Sequence, residues 1–184
     1  IDRVFGPRKY YLISLVIVLY ALLPFFMAFE GRKPEVRELV VLATMIALAT
    51  AGRAAFFMTP SFKPIIAIVI ISAIAFGAEA GFLVGSMTML VSNFLFGQGP
   101  WTPWQMFAMG FIGFLSGILY RLRILPTKRL QLSVYGFLVT FMIYGGIMNP
   151  AALFMSVYQF SWSGLLAIYI SGVPVDLVHA SSTF

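Results

Sequence analysis

The chain has 184 residues, of which 61% are hydrophobic and only 10% are charged, and its net charge is +6. A soluble domain averages about 25% charged residues, so the composition excludes an ordinary water-soluble fold and predicts an integral membrane protein. Cysteine is absent, which excludes disulfides and thiolate metal sites. The basic residues lie in short gaps between apolar runs and form no basic face, so nucleic acid is excluded as a partner despite the positive charge.

The apolar runs, taken in chain order, predict seven membrane helices, because a helix needs about 20 apolar residues to cross the hydrocarbon core. The predicted spans are 10–29, 36–57, two short helices within 64–96 that are separated by the seam "FGAEAG", 104–120, 130–148 and a last helix that begins near Pro174. The predicted fold class is an all-α membrane protein with a six-helix core at 36–184. An extra transmembrane helix and a cytoplasmic linker occupy 1–35. We expect the chain to be a fragment at both ends, with its last helix truncated.

The basic residues predict which ends of the helices face the cytoplasm. Seven of them occupy two gaps: Arg32, Lys33, Arg37, Arg121, Arg123, Lys128 and Arg129. The positive-inside rule places both gaps in the cytoplasm and the uncharged gaps at 97–103 and 149–173 outside. Arg3, Arg8 and Lys9 do not follow the positive-inside rule, since this topology would place them outside. Either a further span precedes Ile1 or the first span does not cross, and the sequence leaves both explanations open.

Small residues recur at four-residue spacing in three places. The second span carries Ala43, Ala47, Ala51 and Ala55, and glycines repeat the spacing at 77, 81 and 85 and again at 113 and 117. Such spacing lets another helix approach closely. The glycines favour packing inside the protein. The alanines suit either internal packing or docking to a separate membrane partner.

Polar and aromatic residues are predicted to gather near the outer ends of the helices. Polar groups at membrane depth are costly and usually face a cavity or a partner. The topology brings the following residues to one side: Arg53, Lys63, Asn93, Gln98, Trp101, Trp104, Gln105, Tyr144, Asn149, Asp176 and His179. Convergent polar groups within an apolar surround are typical of a ligand pocket, here open to the outside.

Several of these residues have simpler interpretations. The two tryptophans could be interfacial anchors, and Asn93 a helix C-cap. Asp176 could cap the last helix or pair with His179 three residues later. Arg53 could extend to the membrane surface. One histidine and one aspartate are too few for a metal site, and no nucleophile, carboxylate pair or phosphate loop is present, so no catalytic residues are predicted.

The chain resembles the substrate-binding S component of energy-coupling factor (ECF) vitamin transporters. The resemblance covers most of 36–184 and rests on four stretches: "LATMIALATAGRAAFF", "PSFKPIIAIVIISAIAFGAEAGFLVGSMTMLVSNFLFGQGPWTPWQM", "YGGIMNP" and "SGVPVDLVHASSTF". The block from Pro60 to Met106 is the most specific. Within the family, the chain looks most like the cobalamin branch.

The resemblance implies a transport subunit in a prokaryotic cytoplasmic membrane, with partners that include a transmembrane T component and two ATPases. It implies no cofactor of its own, since the ATPases use the ATP. Ala43, Ala47 and Ala51 match the motif that contacts the T component. The pocket would be closed by the loops Met58–Lys63, Gly97–Pro103 and Asn149–Val173, which adds Phe62 to the predicted binding residues. The extra span at 10–29 departs from the six-helix pattern.

Other functions stay open on the residues alone. The vitamin is expected to be cobalamin, with riboflavin or a queuosine precursor as alternatives. A membrane-embedded lipid-modifying enzyme would need Asp176 and His179 as its acid–base pair. A purely structural subunit would carry no ligand.

Overall fold

The computed structural model describes residues 9–125, 127–156 and 160–184. Arg3 and Arg8, whose charges disagree with the predicted topology, lie outside this part of the chain, as does the side chain of Lys9. Within it there are seven helices and no strand. Their bounds are α1 Lys9–Gly31, α2 Val36–Ala55, α3 Ile65–Phe76, α4 Ala78–Phe96, α5 Thr102–Arg121, α6 Arg129–Ser156 and α7 Trp162–Ser181.

Length and apolar composition qualify α2, α4, α5, α6 and α7 as candidate membrane spans among the described residues. Helix α3 is equally apolar but shorter. The predicted all-α membrane class is confirmed. The number of helices that cross the bilayer stays a prediction.

The predicted boundaries in the last third of the chain are wrong. Helix α6 does not end at Met148 but continues through Asn149 and Pro150 to Ser156. Helix α7 begins at Trp162, so Pro174 lies within it and there is no break at Gly172–Pro174. In lipid, neighbouring helices can satisfy the backbone groups that a proline leaves free, so proline ends a membrane helix less reliably than a soluble one. Most of the outer loop predicted at 149–173 is therefore helical, since residues 149–156 belong to α6 and residues 162–173 to α7.

A hairpin with a single connecting residue joins α3 to α4. Gly77 supplies the turn with a φ of +97°, a conformation that costs glycine little. Arg32 of the α1–α2 linker forms ion pairs with Glu38 at 3.0 Å and Glu79 at 3.4 Å. Because Glu79 opens α4, the basic linker and the hairpin lie at the same end of the bundle, as the topology predicts.

Helix α4 is the centre of the bundle and packs closely on α5. A Cβ atom added at Gly81 would lie 2.9 Å from the backbone oxygen of Gly113, and one at Gly85 would lie 2.9 Å from the nitrogen of Gly110. Real Cβ atoms do not tolerate such contacts, so these glycines set the α4–α5 distance. The glycine rows therefore serve packing within the protein.

Helix α1 joins the bundle through an aromatic contact. Phe25 stacks on Phe82 of α4 with ring centroids 4.1 Å apart, and meets Phe114 of α5 edge-on at 4.9 Å. Phe82 is fully buried. The extra N-terminal helix is therefore packed against the helices that form the core.

Candidate functional site

The guanidinium of Arg53 is directed into the bundle. Arg53 lies in the last turn of α2, and its Nη1 donates to Ser92 Oγ and to Asn93 Oδ1, both at 2.6 Å. Ser92 and Asn93 belong to α4 and have no exposed surface. The Cζ atom of Arg53 also lies 5.4 Å from the centre of the Phe96 ring. Arg53 thus fastens α2 to α4, and its side chain is partly buried between these helices.

Asn93 connects this contact to α5. Its Nδ2 donates to Thr102 Oγ1 at 3.0 Å and to Gln105 Oε1 at 2.8 Å. The amide of Asn93 is therefore fully used between three helices, whereas its backbone oxygen accepts from Gly97 N at 2.8 Å to close α4. The interpretation of its side chain as a helix C-cap is wrong.

The contacts continue from α5 to the end of α7. Gln105 Nε2 donates to the hydroxyl of Tyr144 at 3.5 Å, and the Tyr144 ring meets His179 edge-on at 4.6 Å. Ser182 Oγ lies 2.6 Å from the backbone oxygen of His179 and 2.9 Å from that of Lys63. Six predicted binding residues thus form one connected group, which we call the Arg53 cluster: Arg53, Lys63, Asn93, Gln105, Tyr144 and His179.

The backbone of α6 widens where it reaches the Arg53 cluster. Residues Thr140–Tyr144 form a π-helical turn between two α-helical segments. Such turns are rare and often mark functional sites, because the extra residue redirects the side chains next to it. The sequence had placed Tyr144 near the end of its helix. Because α6 continues to Ser156, Tyr144 lies in the middle of it.

The Arg53 cluster carries positive charge without a matching carboxylate. Among the described residues, the carboxylates within 4.0 Å of a cation are Glu38 and Glu79, both paired with Arg32. Partial burial, and then the charge of Arg53, lower the pKa of Lys63 below its ordinary value. His179 Nε2 is buried and has no hydrogen-bond partner in the part of the chain that the structure describes.

Asn149 and Asp176 form a separate contact between α6 and α7. Asn149 Nδ2 donates to Asp176 Oδ2 at 2.8 Å, and the hydroxyl of Tyr169 donates to the Gly146 oxygen at 2.9 Å. Asp176 lies in the second half of α7, so it neither caps that helix nor pairs with His179. The pair holds the two helices together beside the Arg53 cluster.

The uncharged stretch at 97–103 is a tight turn held by its own side chains. Thr102 Oγ1 donates to Gln98 Oε1 at 2.8 Å, and Gln98 Nε2 donates to the Leu90 oxygen at 3.2 Å. The Trp101 ring folds over Gly99 and remains 39% exposed. Sequence reasoning missed Thr102 and Ser92, although a hydroxyl beside a predicted polar residue is a usable signal.

Trp104 faces away from the Arg53 cluster. It lines an apolar groove of about 520 Å³ between α1, α5 and α6, and its ring lies 6.3 Å from that of Phe154. Its indole N–H is buried without a partner among the described residues. The structure therefore separates Trp104 from the residues with which the sequence grouped it.

The loop after α2 brings aromatic rings beside the cluster. Phe62 packs on Phe56 with centroids 5.2 Å apart, and Phe57 stacks on Phe96 at 5.0 Å. Phe62 is partly buried, whereas Phe56 and Phe57 are exposed. This loop covers the end of the bundle at which Arg53 and Lys63 lie.

The predicted docking alanines lie on the outside of α2. Ala43, Ala47 and Ala51 are all exposed, whereas Leu42 and Ala49 of the same helix are buried against the core. The side chains at these three positions are small and apolar. This face of α2 is therefore accessible to another membrane helix.

The fold and the cluster define a multi-pass membrane protein with convergent polar side chains at the end of the bundle opposite its basic linker. Residues 33–183 match the family model described as ECF-type riboflavin transporter, S component. The chain belongs to this family, which confirms the predicted S-component class and makes the chain a substrate-binding transport subunit and not an enzyme. The match begins after α1. Neither the curated proteins nor the solved structures gave a significant match.

Proposed function

We propose that this protein captures riboflavin at the outer face of a prokaryotic cytoplasmic membrane and delivers it inward as part of an ECF transporter. The family description names riboflavin as the substrate, whereas the expected preference for cobalamin finds no support. The observation that carries the proposal is the Arg53 cluster, in which amide, hydroxyl and imidazole groups from four helices converge beside two cations.

The chemistry of the cluster suits a flavin. The isoalloxazine ring is flat and aromatic and carries an imide edge with both donors and acceptors. The amide of Gln105, which Asn93 holds in place, has both a donor and an acceptor. Tyr144 and His179 offer aromatic faces. The aromatic loop that contains Phe62 would close over the bound ring, and Gln98 and Trp101 would border it from the opposite loop.

The energy for transport would come from partner subunits. We propose that Ala43, Ala47 and Ala51 form the surface that meets the transmembrane T component, which in turn binds two ATPases. Small exposed residues let two helices approach closely without salt bridges, so such a contact can form and release. No cofactor is needed on this chain.

Reconstitution tests this proposal directly. The protein would be placed in liposomes together with a T component and two ATPases, and uptake of labelled riboflavin would be measured with and without ATP. We expect ATP-dependent uptake that excess unlabelled riboflavin suppresses and excess cobalamin does not. If cobalamin but not riboflavin suppressed the uptake, the flavin assignment would be overturned. If neither vitamin were taken up, the vitamin class itself would be overturned.

A further inference from the structure

Two cations of the Arg53 cluster keep unused hydrogen-bond donors. Arg53 has five N–H groups, and the two hydrogen bonds recorded for its side chain both start at Nη1. Lys63 has three donors, and its ammonium group makes no hydrogen bond to any other described residue. The unused donors belong to groups that are already partly withdrawn from water.

The position of Lys63 is fixed by its main chain and not by its ammonium group. Its backbone oxygen accepts from Ile65 N at 2.9 Å and from Ser182 Oγ at 2.9 Å. Ser61, two residues earlier, has a φ of +59°, which bends the chain toward α3. Ser182 ties this loop to His179, and Phe62 packs on Phe56, the residue that ends α2 just after Arg53. Lys63 therefore lies at the same end of the bundle as Arg53.

No nearby carboxylate offsets these charges. Among the described residues, no carboxylate lies within 4.0 Å of either cation, and Asp176 Oδ2 is bound to Asn149 at 2.8 Å. Two like charges in a medium of reduced dielectric repel each other, and an anion placed between them removes that cost. The unbound site is therefore electrostatically incomplete.

We propose that Arg53 and Lys63 form an anion subsite at the edge of the ligand site, so that the preferred ligand carries a phosphate or carboxylate group. This inference rests on the proposed function. For a flavin, the anion would be a phosphate ester on the ribityl chain, with the ring held by the amide of Gln105. A phospholipid headgroup offers the same chemistry from the membrane, and the experiment distinguishes the two sources.

The test compares riboflavin with riboflavin 5′-phosphate in phospholipid-free detergent. Dissociation constants would be measured for the wild type, for Lys63→Gln and for the control Lys128→Gln, which removes an exposed lysine at the basic end. We expect the phosphate ester to bind about tenfold more tightly than riboflavin in the wild type and control, which corresponds to about 1.4 kcal/mol. In Lys63→Gln, the ratio should fall toward one.

The outcomes separate this inference from the proposed function. Equal affinities for the two flavins in the wild type would overturn the anion subsite and leave riboflavin capture intact. If neither flavin binds, the proposed function fails, and the melting temperature decides the anion subsite. If added inorganic phosphate raises the melting temperature of the wild type but not of Lys63→Gln, the anion subsite is supported. If it raises neither, the anion subsite is overturned. A rise only with phosphatidylglycerol micelles, absent in Lys63→Gln, would support the subsite but assign it to a lipid headgroup.

Discussion

Arg53 at the end of α2 and Asn93 in the last turns of α4 are joined by a hydrogen bond of 2.6 Å. The same asparagine reaches Thr102 and Gln105 on α5. One amide therefore links three helices at the end of the bundle where the ligand is expected. Asn93 therefore positions the residues around it, which makes its neighbours better probes of ligand binding than Asn93 itself.

Asn93→Ala should lower stability markedly. It removes three side-chain hydrogen bonds and leaves the partly buried Arg53 without one of its acceptors. An unsatisfied buried group costs about 1–3 kcal/mol, so the free energy of unfolding should fall by at least that amount. Thermal unfolding in detergent measures the effect, with Gln131→Ala on the exposed side of α6 as the control. Equal melting temperatures for the two variants would contradict the linking role of Asn93.

Gly113→Val should disrupt the α4–α5 interface. The added side chain would meet the backbone of Gly81, which cannot rotate away. Overpacking of this kind costs about 1–3 kcal/mol or more. Gly146→Ala is a suitable control, because no atom lies within 4 Å of the Cβ it would add. The yield of folded protein and its melting temperature report the difference, and a Gly113→Val protein as stable as the control would show that the helices are not closely packed.

Ala47→Trp should impair transport without impairing riboflavin binding. The residue is exposed on α2, and a large indole would hold a partner helix away from the surface formed by Ala43, Ala47 and Ala51. Ile71→Trp places the same side chain on an exposed position of α3 and serves as the control. Co-purification with the T component is the readout. Undiminished co-purification of Ala47→Trp would place the docking surface elsewhere.

Trp104→Phe should leave riboflavin affinity within about twofold of the wild type. The indole lines the apolar groove beside α1, stacks on Phe154 and makes no hydrogen bond with a described residue. Phenylalanine keeps most of the apolar contact, so stability should fall by less than about 1.5 kcal/mol. A tenfold loss of affinity would show that the groove belongs to the ligand site.

The sequence predicts the membership of the cluster better than its geometry. Alternating helix direction is enough to bring Arg53, Asn93 and Gln105 to the same end of the bundle. Trp104 and Gln105 are adjacent on one helix, so their side chains point about 100° apart and cannot both face the same site. That separation was available from the sequence, whereas the helix rotation that turned Gln105 inward depends on the packing of α5 against α4.

Two features could not be predicted from local patterns. The π-helical turn at Thr140–Tyr144 has no recognised sequence signature, and it depends on the contacts of α6 with α5 and α7. Pro150 and Pro174 look like helix ends, but both lie within helices because lipid leaves the backbone no better alternative. The start of α7, in contrast, does have a local signal. Ser161 is a common N-cap residue, and its Oγ accepts from Gly164 N at 3.1 Å.

The central claim is that the Arg53 cluster binds a flavin, and a fluorescence titration of riboflavin against the purified protein tests it most directly. The wild type should quench flavin fluorescence saturably with one site per chain. Gln105→Ala should weaken binding about tenfold or more, because it removes an amide that the ring would use. Absence of saturable quenching by the wild type, or equal affinity in Gln105→Ala, would contradict the claim.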